Sequence, residues 1–154
     1  MKTLHLLRHA KSDWSDPALA DQDRPLNKRG KRARQDVAAL VDGWNVDLVV
    51  CSTARRTRQT AKPVVGALGC PVSYDERLYA ASIDDVLAVA RTLPEECDTV
   101  MLVGHNPSME EVTFELCGKS PVYPTAALGS VSLAVDAWSE VAPGVGTLTA
   151  FWQP

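Results

Sequence analysis

Short aliphatic runs alternate along this chain with segments whose apolar residues recur at helical spacing. LHLL (4–7), DLVVC (47–51), VSY (72–74) and TVMLV (99–103) predict four strands. Between them, Asn27 predicts the cap of a helix with Ala33, Val37, Leu40 and Val41 on one face, ending near Gly43. A second helix is expected over 54–68, kinked or shortened by Pro63 and closed by Gly69. Ser82, with Asp85 three residues on, predicts a capping box for a third helix that stops before Pro94. A fourth runs from about Pro107, with Met109, Val112 and Leu116 facing the core, to Cys117 before Gly118.

Strands that alternate with helices imply a mostly parallel sheet covered on both faces, a three-layer α/β/α sandwich. SVSLAV (130–135) and TLTAFW (147–152), joined by a Pro/Gly-containing turn, add a hairpin and so an antiparallel edge strand. Repeats, low-complexity stretches and dividing linkers are absent, and 154 residues at 45% hydrophobic suit one domain over 1–154.

A net charge of -3 gives no general attraction to nucleic acid or to anionic membrane, so an anion site must be built locally. No stretch approaches the ~18 apolar residues of a membrane span, and the cytoplasm is the expected compartment. Cys51, Cys70, Cys97 and Cys117 lack any CxxC spacing and read as reduced thiols rather than a disulfide framework or zinc knuckle.

In open α/β sheets ligands bind at the carboxyl ends of the strands. Arg8 and His9 follow the first strand, CSTARRTRQTA ends the second and continues beyond it, and GHNPS with His105 follows TVMLV. Guanidinium groups beside both histidines would repel a dication, and no carboxylate or thiol stands at ligand spacing, so no metal is expected. An arginine fork instead matches phosphate oxygens, and His9 stands where an imidazole can attack phosphorus.

These residues carry a family resemblance. LLRHA (6–10), STARRTRQTA (52–61) and VGHN (103–106) resemble the landmarks of the histidine phosphatase (phosphoglycerate mutase-like) superfamily, in the same order. RPL (24–26), TAA (125–127) and the short length are similar to its small SixA-type phosphohistidine phosphatase branch. The resemblance implies a phosphohistidine intermediate on His9, with Arg8, Arg56 and His105 completing a catalytic phosphate pocket. Arg24 and Asn106 would add substrate contacts, and no cofactor is implied. The S-x-x-x-R-x-x-Q-T pattern, counted from Ser52, selects Arg56 over Arg55 and Arg58.

Two positions depart from the family pattern. Asn27 stands where Thr or Ser is usual, and Leu78-Tyr79-Ala80 places alanine where acid-containing relatives carry a Glu. Loss of that proton donor favours phosphohistidine over ordinary esters unless Glu76, Asp13 or Asp84 replaces it. The expected partner is a phosphorylated substrate, a histidine-phosphorylated signalling protein in the favoured case. The alternatives are a phosphomonoesterase acting on a nucleotide or sugar phosphate, and a phosphate-binding module without catalysis.

Other residues have plainer readings. His5 is expected to be structural, as are Trp44, Trp138 and Trp152. Lys28, Arg29, Lys31, Arg32 and Arg34 form a solvated helix face, with docking of an acidic partner as the alternative. Trp14 either flanks the pocket or covers the core edge.

Overall fold

A computed structural model describes all residues from Met1 to Pro154. In chain order the strands are β1 (Lys2–Arg8), β2 (Leu48–Cys51), β3 (Val72–Tyr74), β4 (Thr99–Gly104), β5 (Leu128–Leu133) and β6 (Gly146–Trp152). The helices are α1 (Lys28–Val41), α2 (Arg55–Leu68), α3 (Ile83–Arg91) and α4 (Ser108–Cys117). The strands form one sheet in the order β3-β2-β4-β1-β5-β6. The pairs β2/β3, β2/β4 and β1/β4 are parallel, while β1/β5 and β5/β6 are antiparallel.

Strand alternation divides the core in two. Leu4 and Leu6 of β1, with Val100 and Leu102 of β4, face α3 and α4 in one apolar cluster. Leu7, Val49, Met101 and Val103 face α1 and α2 in the other. The inner strands are therefore apolar on both sides, which is why they read as unbroken aliphatic runs. Leu6 is fully buried between β4 and β5, and truncating it to alanine is expected to cost about 2–5 kcal/mol.

The helix ends follow local chemistry. Asn27 accepts a hydrogen bond from the Gly30 N–H, and Ser82 with Asp85 forms a reciprocal capping box. Pro63 does not shorten α2, which runs unbroken to Leu68 before the left-handed Gly69. Proline has no N–H to offer the carbonyl of Gln59, and the Arg34 guanidinium donates to that oxygen at 2.7 Å instead. A tertiary contact thus replaces the missing helical bond. It also removes Arg34 from the solvated basic face to which its spacing assigned it.

The final hairpin differs in detail from its sequence reading. β5 begins at Leu128, two residues early, because Leu128 pairs with Leu7 on one side and Trp152 on the other. Its connection to β6 is no tight turn: residues 134–145 carry the 3-10 turn Trp138–Glu140, whose Trp138 is completely buried. All four cysteines are free thiols, and of these only Cys51 is buried.

Candidate active site

The tips of β1, β2 and β4 meet in one cavity of about 240 Å3, lined by Arg8, His9, Arg24, Arg56, His105 and Asn106 among others. All six residues expected at the site from sequence are thus brought together. Arg55 and Arg58, one and two residues from Arg56, point to solvent as expected.

His9 is fixed by the strands that flank it. Its N–H donates to Gly104 O at 2.9 Å and its carbonyl accepts from Ala126 N at 3.0 Å. The ring Nδ1 lies 2.7 Å from Ala10 O, an acceptor only, so Nδ1 carries the proton and Nε2 keeps a free lone pair. Burial, reinforced by Arg56, Arg8 and Arg24, pushes the imidazole pKa down to about 4 despite that hydrogen bond. The ring is therefore neutral near pH 7.

The segment after His9 is tied to two helices. Thr60 Oγ1 accepts from Ala10 N at 3.0 Å and donates to Arg56 O at 2.7 Å, joining the nucleophile's loop to α2. Asn27 N donates to Lys11 O at 3.0 Å, joining it to the start of α1. Ser12 pairs with Leu26, and Asp13 N reaches Pro25 O at 2.8 Å, so the chain through residues 24–26 is drawn alongside the pocket. Arg24 consequently lies over the cavity, donating to Ser12 Oγ and stacking 3.7 Å from the Trp14 ring centroid. Trp14, 72% exposed, flanks the pocket rather than covering the core.

His105 lies opposite, its ring centroid 5.2 Å from that of His9. Its Nε2 is 2.8 Å from Ser52 Oγ, and its Nδ1 is buried without a partner. Burial, together with His9 and the arginines, lowers its pKa to about 3. Arg8 donates to Tyr123 O at 2.8 Å, and Asn106 Nδ2 to the same carbonyl at 3.0 Å. One backbone oxygen thereby orients two of the lining side chains.

Sequence reasoning missed the carboxylate that engages these arginines. Asp21, in the 3-10 turn Asp21–Asp23, takes Arg24 Nη2 on Oδ1 at 2.7 Å and Arg56 Nη2 on Oδ2 at 3.0 Å. Tyr79 Oη donates to the same Oδ2 at 2.6 Å. The Tyr79 hydroxyl and the two guanidiniums hold this carboxyl far below the usual carboxylate range. Its one sequence signal is the acid three residues before Arg24. The alternative acids lie elsewhere: Asp13 accepts from Ser15 N, while Glu76 and Asp84 occupy the starts of a 3-10 turn and of α3. None of the three lines the cavity. No group of three or more His, Cys, Asp or Glu side chains is placed to hold a metal ion.

Fold and pocket together define an α/β protein with a cavity lined by arginines around a neutral imidazole. Residues 4–86 match the histidine phosphatase superfamily (branch 1). The chain is also 33% identical to the uncharacterised Mycobacterium tuberculosis protein Rv1276c, over 96% of its own length and 99% of the relative's. It belongs to the histidine phosphatase superfamily.

Solved structures agree. One from Nakamurella multipartitia, described as a candidate phosphohistidine phosphatase SixA, superposes with a TM-score of 0.86 at 32% identity, covering 99% of this chain and 96% of the other. The protein histidine phosphatase SixA complexed with tungstate superposes at 0.81 with 25% identity, covering 97% and 95%.

Proposed function

We propose that this chain is a phosphohistidine phosphatase that works in two steps through a phosphohistidine intermediate on His9, with no metal. One observation carries the substrate class: none of the ten residues lining the cavity is an aspartate or glutamate. Asp21, the carboxylate that reaches the pocket's arginines, is clamped in its ionised form and has no proton to give. Protonation of a departing alkoxide contributes roughly 10²- to 10⁴-fold, and ester hydrolysis here would forgo it. An imidazole already protonated on its distal nitrogen leaves as a neutral molecule and needs no such help.

In the first step the Nε2 lone pair of His9 attacks phosphorus in line. The substrate P–N bond breaks, and its electron pair stays with the departing imidazole. Arg8 and Arg56 carry the charge on the equatorial oxygens, the task a metal ion performs in other phosphoryl-transfer sites. The unpartnered Nδ1 is the hydrogen-bonding capacity that His105 retains for the same group. Arg24 and Asn106 contact the remainder of the phosphorylated residue. In the second step water attacks the phosphoenzyme, His9 recovers its electron pair, and the water's proton leaves with inorganic phosphate.

The size of the cavity supports a protruding side chain as substrate. At about 240 Å3 it is smaller than the ~300–1,000 Å3 that encloses a drug-sized ligand, yet it accommodates a phosphoryl group and its attachment. Two structural relatives are described as SixA phosphohistidine phosphatases, and one holds tungstate, a tetrahedral oxyanion. Four free cysteines accord with a reducing cytoplasm, where a histidine-phosphorylated signalling protein would be the partner of this enzyme.

The test pairs trapping with a substrate panel. Turnover with radiolabelled phosphohistidine protein should leave an acid-labile, alkali-stable label on the wild type and none on His9→Ala. A faster rate on nucleotide or sugar phosphates than on phosphohistidine would overturn the substrate assignment. Label persisting in His9→Ala would overturn the nucleophile.

A further inference from the structure

Beside the phosphoryl pocket lies a second cavity of about 360 Å3 whose walls include Lys11, Arg29, Arg32, Asp36 and Thr125. Lys11 and Thr125 line both cavities, so the two are contiguous. Three cationic side chains here face one acidic side chain, that of Asp36, and the last residue of the chain, Pro154, in a chain whose net charge is -3. The ion pairs of the molecule engage Lys2, Arg24, Arg56 and Arg77, leaving Lys11, Arg29 and Arg32 unpaired.

A run of basic residues on a helix is ordinarily a solvated face. Placement distinguishes this one. The first turn of α1 is docked against the backbone of Lys11 through the Asn27 N–H, and Gly30 packs so closely on the Lys11 carbonyl that even a Cβ would collide with it. Arg29 and Arg32, three residues apart and hence neighbours on the helix surface, are thereby held beside Lys11 at the rim of the phosphoryl pocket. Lys28 and Lys31, on the same helix, line neither cavity.

We propose that Lys11, Arg29 and Arg32 form a cationic subsite for carboxylate side chains flanking the phosphorylated histidine of an acidic protein substrate. The inference rests on the phosphohistidine reading of the neighbouring pocket and adds to it a selection among phosphohistidine proteins. Charge complementarity of this kind acts chiefly on encounter and discrimination, so its signature lies in KM and in salt dependence rather than in kcat.

Two synthetic peptides, each with one phosphohistidine flanked by glutamates or by lysines, test it with the full chain at low salt. The wild type should show about tenfold lower KM for the glutamate peptide. In Arg29→Glu/Arg32→Glu that preference should vanish while turnover of the small substrate phosphoramidate is unchanged. Equal KM values in the wild type, or a preference that survives charge reversal, would overturn the subsite. Fluorescence anisotropy with a labelled, unphosphorylated glutamate-rich peptide decides the subsite without any turnover. Binding lost in the variant supports it, and binding unchanged in the variant refutes it. If neither phosphopeptide is hydrolysed, the phosphohistidine reading falls while the anisotropy result still stands for the subsite. Thermal melting of Arg29→Gln/Arg32→Gln, in which both positions are exposed, controls for folding.

Discussion

Asp21 Oδ2 and Arg56 Nη2 are 3.0 Å apart, so an arginine expected to bind phosphate is engaged by an internal carboxylate. Asp21 also takes Arg24, and its side chain is half exposed. A phosphate dianion entering the pocket meets both the arginines and this resident negative charge. Asparagine at position 21 keeps the shape and one of the two acceptor oxygens, removes the negative charge, and frees at least one guanidinium for phosphate. Asp21→Asn should therefore bind inorganic phosphate about three- to tenfold more tightly as a competitive inhibitor, near 1 kcal/mol. A weaker inhibition constant in the variant would mean that Asp21 serves only to orient the two guanidiniums.

His9 should titrate far below an ordinary histidine. Desolvation is the main cause, and the cations Arg56, Arg8 and Arg24 add to it, placing the pKa at about 4. A 15N-resolved NMR titration of the free protein should show the ring neutral down to roughly pH 5 and protonated on both nitrogens only below its pKa. In Arg56→Gln the midpoint should move back toward 6.5, because one opposing charge is gone. A midpoint near 6.5 in the wild type would contradict the buried, cation-flanked environment described for the ring.

Three buried histidines make the fold acid-sensitive. His5, His9 and His105 have folded-state pKa values of about 4, about 4 and about 3, all below the ordinary 6.5 and all chiefly through burial. A depressed pKa stabilises the native state fully above the unfolded value, and that contribution is lost as pH falls from 6.5 toward 4. Each histidine can remove up to about 1.4 kcal/mol per pH unit in that window. His5 bonds Ser130 Oγ at 2.8 Å and stacks on Trp44, away from the pocket. His5→Gln should thus leave catalysis intact and reduce the slope of unfolding free energy against pH by about a third, measured by urea denaturation between pH 7 and pH 5.

What the sequence discloses and what it hides follow from the range of the interactions. Strands β1, β2 and β4 are legible because burial on both faces demands aliphatic residues throughout, and α1 and α3 because Asn27 and Ser82 satisfy helix N–H groups locally. Arg8, His9 and His105 are legible because the strand tips of a parallel sheet lie at one edge, whereas the choice of Arg56 and the inclusion of Arg24 and Asn106 come from the family resemblance. The continuity of α2 through Pro63 is not, since the compensating Arg34 comes from another helix. Asp21 and Tyr79 also escape: they belong to irregular segments without periodicity and meet only in the folded chain. The distinction between Arg29 or Arg32 and the other basic residues of α1 likewise appears only when the helix docks on Lys11.

That docking makes Gly30 a position where two effects of opposite sign can be told apart. Glycine inside a helix costs roughly 0.5–1 kcal/mol relative to alanine, so at an unconstrained site Gly→Ala would stabilise α1. At Gly30 the added Cβ would collide with the Lys11 carbonyl, which is backbone already held by Asn27 N and unable to swing aside as a side chain could. Overpacking of this kind typically costs about 1–3 kcal/mol, which exceeds the propensity gain. Gly30→Ala should therefore lower thermal stability. It should also lower kcat, because displacing Lys11 moves the adjacent Ala10 carbonyl that fixes the His9 tautomer. Differential scanning calorimetry and the His9 ring titration check the two consequences separately. A stabilised Gly30→Ala protein with an unaltered His9 ring would show that α1 can slide without disturbing the nucleophile's loop.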